Sequence, residues 1–224
     1  MRSRPDDLYS RQLTLAEIAS EEHRKLVGGL WHEIGALQFE FLIQHGLLRG
    51  HKLLDIGCGA LRCGIPIIQY LDAGNYYGLD INASLIEAGR YELAKAGLTA
   101  KSPRLMVSDR FEMDRFGASF DFAIAQSLFS HLDKHRIAQC LAAARRVLRP
   151  ESKLFCTFFL APGSGHTEPI QHQPGGVITF SDRDPFHYSV GEMEGFAHDA
   201  CFSAKFIGDW AHPRNLQMLQ LSTL

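Results

Sequence analysis

The sequence predicts an α/β protein built on a doubly wound, mostly parallel sheet of seven strands. Two observations carry that expectation. From residue 52 onward, short apolar runs of strand length alternate with longer stretches of helical period, a pattern satisfied by parallel strands joined through right-handed helical crossovers. The first of those strands ends in a glycine turn, Leu53-Leu-Asp-Ile-Gly-Cys-Gly59, that leads into a helix, as in open sheets that bind ligands at their strand ends.

Before the sheet, residues 13–48 read as two helices. Thr14-x-x-Glu17 is a capping box, and Leu15, Ile18, Ala19 and Leu26 fall near one face; Gly28-Gly29 interrupts. A second periodicity then runs through Leu30, Ile34, Leu37, Phe41 and Leu42 to Gly46, with Trp31 read as core. Strands follow at 52–56, 76–79, 104–107 and 120–125, with helices over 61–71 and 83–96, the latter ended by Gly97. Pro66 falls in the early turns of the first of these helices, where a missing N–H does least harm. The next helix is the clearest. Ser130-x-x-Asp133 caps it, Ile137, Cys140, Leu141, Ala144, Val147 and Leu148 form its stripe, and Pro150 stops it. A fifth strand spans 153–160. Residues 161–188 hold eight Gly or Pro and read as a long irregular insertion, which in a compact domain is usually functional. Ser189-x-x-Glu192 caps a last helix, and strands over 203–208 and 215–221 end the chain. The expected organisation is a helical extension or lid over 1–49 and a ligand-binding domain over 50–224.

Composition narrows the function classes. The chain has 224 residues, 46% hydrophobic and 21% charged, which is ordinary for a globular protein with a sizeable core. Its 23 Lys and Arg against 25 Asp and Glu give a net charge of −2, so a nucleic-acid partner gripped through phosphates is not expected. Five Cys is an odd count in a chain too long to need disulfides, which favours a reducing, cytoplasmic setting. The opening Met1-Arg-Ser-Arg-Pro-Asp-Asp has no apolar stretch behind it and is not read as a secretory signal. No apolar run approaches the roughly 20 residues that cross a bilayer.

The chemistry concentrates at strand ends. Glycines after Asp55 let a ligand approach the backbone. Asp80 ends the second strand 25 residues later, placed for ribose hydroxyls, and Ser108-Asp109-Arg110 ends the third, where a carboxylate accepts from an exocyclic amine. Phe120-Asp121 opens the fourth strand, which leads to Gln126-Ser-Leu-Phe-Ser-His131. On these residues the sequence resembles the class I S-adenosylmethionine-dependent methyltransferases, well over about 50–160, with 189–222 matching that family's final helix and antiparallel strand pair. The resemblance implies the family's Rossmann-like fold with an antiparallel final strand, S-adenosyl-L-methionine as cofactor and S-adenosyl-L-homocysteine as product. By the same resemblance Gly57 and Gly59 pack against the methionine part, Asp80 holds the ribose diol and Asp109 the adenine amine, with Asp55, Cys58, Ile81, Arg110 and Gln126 completing the expected cofactor-binding set. One departure stands out: the family's frequent third glycine is Leu61 here, and Gly64 comes later. A nicotinamide-binding dehydrogenase is the weaker alternative, because Gly57-Cys-Gly59-Ala-Leu-Arg62 lacks the glycine that packs helix on strand. A non-catalytic cofactor-binding module of the same fold is the other.

Methyl transfer to a hydroxyl calls for a base near neutrality, most simply a histidine. Among eleven His, the candidates are His131 after the fourth strand and His172 and His187 in the insertion. His131 and His135 are four apart but have no third ligand at a recognisable spacing, so no metal is expected. The cluster Ser181-Asp-Arg-Asp-Pro-Phe-His-Tyr188 reads either as a solvated turn or as a substrate lid carrying a base, and Trp210-Ala-His-Pro-Arg214 as a turn. No Asn-Pro-Pro-Tyr-like tetrapeptide follows the fourth strand, which disfavours amide or nucleobase nitrogen as acceptor. The expected substrate is a small molecule or a sugar hydroxyl, with no membrane partner, and the protein a monomer or homodimer.

Overall fold

The structure, a computed structural model, describes residues 11–224; the opening Met1-Arg-Ser-Arg-Pro-Asp-Asp run lies outside the described residues. The helices are α1 (Leu15–Ala19), α2 (Glu22–Leu26), α3 (Trp31–Gln44), α4 (Gly64–Tyr70), α5 (Ala83–Lys95), α6 (Lys134–Val147) and α7 (Val190–Asp199). The strands are β1 (Leu53–Ile56), β2 (Tyr76–Asp80), β3 (Arg104–Val107), β4 (Phe120–Ala125), β5 (Leu148–Leu160), β6 (Ile170–His172), β7 (Val177–Thr179), β8 (His187–Tyr188), β9 (Phe202–Gly208) and β10 (Gln217–Thr223). They fall into two compact units, one made of the residues up to Gly50 with Gly57–Asp109, the other of His51–Ile56 with Arg110–Leu224.

In the first unit the N-terminal segment forms three helices rather than two. The Thr14–Glu17 capping box is present in both directions. The extra break lies at Glu21, whose φ of 63° is left-handed; a right-handed helix does not pass through such a residue. Gly28 and Gly29 interrupt as expected, with φ of 94° and 65°. Leu13, Ile18 and Leu26 bury against Ala60, Leu85 and Ala88 in one cluster, with Trp31 and Tyr91 packed on it. A polar clasp reinforces this: His23 Nε2 lies 2.7 Å from Glu92 Oε1, and Arg24 donates to both oxygens of the same carboxylate. Burial raises the Glu92 carboxyl, but the bonds from His23 and Arg24 outweigh it and hold it at about 2. A buried carboxylate without such partners would cost several kcal/mol. Strands β2 and β3 pair in parallel, from Tyr77 opposite Arg104 to Asp80 opposite Val107.

Helix α4 starts at Gly64, later than the expected 61, because Leu61 is left-handed with φ 68°. The Leu61 side chain, at the position where the family frequently has glycine, is fully buried. Two other glycines make room for it. A Cβ on Gly64 would lie 2.9 Å from Leu61 Cβ and 2.7 Å from Tyr76 Oη, and one on Gly89 would lie 2.9 Å from Leu61 Cγ.

The second unit orders its main strands β1-β4-β5-β10-β9. The β1–β4 and β4–β5 pairs are parallel, while β5–β10 and β10–β9 are antiparallel, in accord with the expected final strand. Strand β5 runs 13 residues and takes in Pro150, longer than the expected 153–160. Helix α6 is capped by Asp133, whose carboxylate accepts from Arg136 N at 2.9 Å; Ser130 instead donates to Ser127 O. Its predicted stripe is buried throughout. The insertion is irregular only in part, since it carries three short strands. β6 and β7 form an antiparallel hairpin, and β8 pairs in parallel with the end of β5. The β-branched Ile170, Val177, Ile178 and Thr179 form the strands, and the surrounding Gly and Pro hid them in the sequence. At the hairpin tip, a Cβ on Gly175 would lie 2.7 Å from Arg214 Cα, so the backbones pack directly. Among the described residues no helix is long and apolar enough to cross a membrane.

The Leu61 arrangement makes a test. Gly64→Ala forces the new methyl into Tyr76 and Leu61, and overpacking of that kind costs about 1–3 kcal/mol. Urea unfolding should show that loss; unchanged stability would mean that Leu61 is not held by the glycine at 64.

Candidate functional site

The glycine turn wraps the end of β2. Gly57 and Gly59 have φ of 77° and 52°, open to glycine at little cost. Both Gly57 N and Cys58 N donate to Leu79 O, at 2.8 and 3.0 Å. Gly59 N donates to Asp80 Oδ2 at 2.9 Å, and Asn82 N to Asp80 Oδ1 at 2.8 Å. Each carboxylate oxygen thus uses one lone pair on the backbone and keeps capacity to accept from a ligand diol. Burial raises the Asp80 carboxyl above its ordinary value, and the N–H groups of Asn82, Gly59 and Ile81 pull it back. Cys58 is buried, and Gly78 gives it space, since a Cβ there would lie 2.9 Å from its sulfur. Ile81, next to Asp80 in sequence, is 60% exposed. Ser108 N donates to Asp80 O, and the next residue, Asp109, is exposed at the end of β3.

Three residues that the sequence did not single out organise this unit. Asn82 caps α5 by accepting from Ser84 N and Leu85 N, and donates to Arg11 O at 2.8 Å. Ser84 Oγ accepts from Leu13 N. Arg62 donates to Val27 O and Gly29 O, and a Cβ on Gly59 would lie 3.2 Å from Val27 Cγ1. The N-terminal segment is therefore strapped over the glycine turn itself. An Asn two residues after a strand-ending carboxylate and just before a helix was a legible cap signal; Arg62 offered none.

In the second unit Asp55 is buried within β1 and Arg110 is exposed. Gln126, at the end of β4, donates to Ser127 Oγ at 3.2 Å and keeps its Oε1 buried without a partner. His131 closes a short 3₁₀ turn, Phe129–His131, and its Nδ1 lies 2.6 Å from Asp184 Oδ1, both side chains partly exposed. His135 belongs to α6, where its Nε2 meets Gln139. Among the described residues no group of three or more His, Cys, Asp or Glu is arranged to hold a metal.

The other two candidate bases are tied together. His172 Nε2 and His187 Nδ1 both lie 2.9 Å from Thr179 Oγ1, and all three side chains are buried. One hydroxyl has one proton, so it donates to one ring and accepts from the other. Burial lowers His172 to about 4, with His187 adding to the effect, and burial lowers His187 as well. Thr179 and Asp184 are thus the partners that define these histidines. Thr179 left no sequence signal, whereas Asp184 lay inside the 181–188 cluster.

The chain is similar to known methyltransferases. A family profile described as a methyltransferase domain matches residues 54–154. A ubiquinone biosynthesis O-methyltransferase of Hahella chejuensis is 26% identical over 125 residues, covering 55% of this chain and 50% of that protein. The O-methyltransferase rstn1 of Aspergillus nomiae is 29% identical over 124 residues, covering 55% and 53%. The chain spans about half the length of the curated relatives it matches. Among solved structures, magnesium protoporphyrin IX methyltransferase from Synechocystis with bound SAM superposes with a TM-score of 0.65 at 14% identity, over 96% of this chain and 88% of that one. A methyltransferase from Clostridium acetobutylicum gives 0.66 at 9% identity over 94% and 99%. At these identities the likeness shows the fold: a mostly parallel, Rossmann-like sheet.

The buried histidine pair sets a pH dependence. An unfolded histidine takes up its proton near pH 6.5, whereas His172 in the fold resists until about 4. The folded state then binds fewer protons, so stability is complete above about pH 6.5 and is lost as pH falls toward 4, by about 3 kcal/mol. Thermal melts from pH 7 to 4 should show that fall. His172→Gln, which still bonds Thr179 but does not titrate, should make it shallower, with His187 and Glu92 keeping the remainder; an equally steep profile in the variant places the loss elsewhere.

Proposed function

We propose that the chain, whose residues 54–154 match a methyltransferase-domain profile, is a class I S-adenosylmethionine-dependent methyltransferase that methylates a hydroxyl of a small molecule or sugar. The observation that carries the reading is the clasp of Gly59 N and Asn82 N on Asp80. It turns a carboxylate with spare acceptor capacity toward a glycine-lined backbone, the arrangement a nucleoside with a polar tail requires. The residues fit S-adenosyl-L-methionine on this chain's own features. Gly57, Cys58 and Gly59 take the methionine part, with Asp55 just before them in the chain, and Asp80 takes the ribose diol. Exposed Ile81 offers an apolar face to the adenine, and Asp109 accepts from its amine, with Arg110 beside it in sequence. The family resemblance adds Gln126 to this set.

Bound there, the cofactor supplies a methyl group activated on a sulfonium sulfur and leaves as S-adenosyl-L-homocysteine. The protein holds the acceptor hydroxyl in line, excludes water and takes its proton. His172 and His187 spend a ring nitrogen each on Thr179, and burial makes both weak bases. The proton therefore goes to His131, which is partly exposed and paired with a carboxylate; His172 and His187 are the alternative bases. The net charge of −2 supports a small-molecule substrate rather than a nucleic acid. The enzyme works in the cytoplasm, as a monomer or homodimer.

Calorimetry with S-adenosylmethionine, S-adenosylhomocysteine and NAD tests the cofactor. The first two should bind and NAD should not. Asp80→Ala should weaken binding by about 1.5–3 kcal/mol, the loss of hydrogen bonds to a charged group; since it also leaves Gly59 N and Asn82 N without that acceptor, the folded fraction of the variant is read by circular dichroism alongside. Binding of NAD alone, or an unaltered dissociation constant in the variant, contradicts the reading. Transfer of labelled methyl across a panel of phenols, catechols and sugars then identifies the acceptor.

A further inference from the structure

We propose that residues 11–29 dock within the first unit as one cooperative strap, and that Val27 and Asn82 are the positioning residues through which its docking sets the Gly59–Asp80 bond. What that bond would hold rests on the methyl-transfer reading; the coupling of strap to bond does not. Gly59 N donates to Asp80 Oδ2 at 2.9 Å, and the strap reaches both ends of this bond. On the glycine side, a Cβ on Gly59 would lie 3.2 Å from Val27 Cγ1, so Val27 packs against the turn itself. Arg62 holds Val27 there by donating to Val27 O at 2.9 Å and to Gly29 O at 3.1 Å. On the carboxylate side, Asn82 N donates to Asp80 Oδ1, and the Asn82 amide donates to Arg11 O at 2.8 Å. Two further bonds join the same stretch of strap to the start of α5. Leu13 N donates to Ser84 Oγ at 2.9 Å, and Ser84 N donates to Gln12 Oε1 at 3.2 Å.

Between these two latches the strap has little order of its own. Helices α1 and α2 are five residues each, and isolated helices shorter than about 12–15 residues are marginal in water. Their order comes from what they cover, since Leu13, Ile18 and Leu26 bury against Ala60, Leu85 and Ala88. A third latch, towards the far end of α5, is ionic. The Glu92 carboxylate meets His23 Nε2 and Arg24, while Arg24 and Lys95 both pair with Glu21. Undocking therefore unfolds α1 and α2 and breaks all three latches together, which makes the strap a two-state element. In the docked state Val27 and Asn82 fix both partners of the Gly59–Asp80 bond; in the undocked state neither is held. A ligand that needs this bond binds the docked state, and by linkage it stabilises docking in return.

Amide hydrogen exchange followed by NMR tests the coupling without any ligand. The hydrogen-bonded amides of Ile18, Ser20 and Val27 should exchange together, through local opening, and faster than those of β2. The Gly59 amide should exchange in step with them. Glu92→Gln breaks the ionic latch at a distance from Asp80, and should speed strap and Gly59 amides alike by about 10-fold while β2 amides stay unmoved. Asn82→Ser keeps a side-chain cap for α5 but loses the bond to Arg11 O, and should act in the same way. In each variant the β2 amides report that the unit is folded. S-adenosylhomocysteine at about 100 times its dissociation constant should slow the strap amides about 100-fold, as for a ligand confined to the docked state. A Gly59 amide that stays protected while α1 and α2 speed up overturns the proposal. Strap exchange at the rate of β2 also overturns it, because no separate docking step then exists. So does calorimetric binding of S-adenosylhomocysteine with no slowing of the strap. If the ligand-free amides behave as expected and calorimetry finds no binding, the cofactor reading is what has failed and the coupling stands.

Discussion

The hydrogen bond from Gly59 N to the Asp80 carboxylate is the constraint on which the first unit is organised. It closes a turn whose other N–H groups, on Gly57 and Cys58, are already spent on Leu79 O. The end of β2 therefore satisfies three consecutive backbone donors that a buried turn would otherwise leave unpaired, each at a cost of about 1–3 kcal/mol. Glycine at 57 and 59 permits the left-handed backbone this demands, and glycine at 78 admits the Cys58 side chain. Two residues beyond Asp80, Asn82 starts α5 and simultaneously ties down Arg11. Turn closure, helix initiation and N-terminal docking thus share one short stretch of chain.

Leu61 shows how such a turn tolerates a residue that breaks its local rule. A left-handed leucine costs roughly 1–2 kcal/mol in backbone energy. Its fully buried side chain offsets that cost by filling the space left by Gly64 and Gly89, since burying a leucine contributes about 1.5–3 kcal/mol. Glycine has in effect moved from the turn into the two helices that face it. The strap over this region is held both by apolar burial and by the His23–Arg24–Glu92 clasp, so its docking combines non-directional and directional terms.

In the second unit, polar pairing decides what each histidine does. Thr179 locks His172 and His187 into a buried, neutral pair that staples the β6–β7 hairpin to β8. Asp184 leaves His131 partly exposed and oriented. The same side-chain type is buried against a hydroxyl in one setting and partly exposed against a carboxylate in the other. Burial and the identity of one oxygen partner separate the two.

By itself the sequence determined the order and type of the main elements, the glycine turn, Asp80 at the end of β2 and the capping boxes at Thr14 and Ser189. These depend on local periodicity, on backbone freedom at glycine and on caps three residues long, all of which are written within a few positions. It also marked Leu61 as a departure without saying what it did. The hairpin in the insertion escaped notice because Gly and Pro dominate 161–188 by count, whereas pairing rests on the few β-branched residues between them. The Asp133 cap was shadowed by Ser130 three residues earlier. Only tertiary structure decided that Gly64 and Gly89 yield to Leu61, that Thr179 joins two histidines, and that Asp184 meets His131. Those choices are made by side chains whose partners share no period with them and mostly stand many residues away in the chain, so no window of sequence identifies both halves of the interaction.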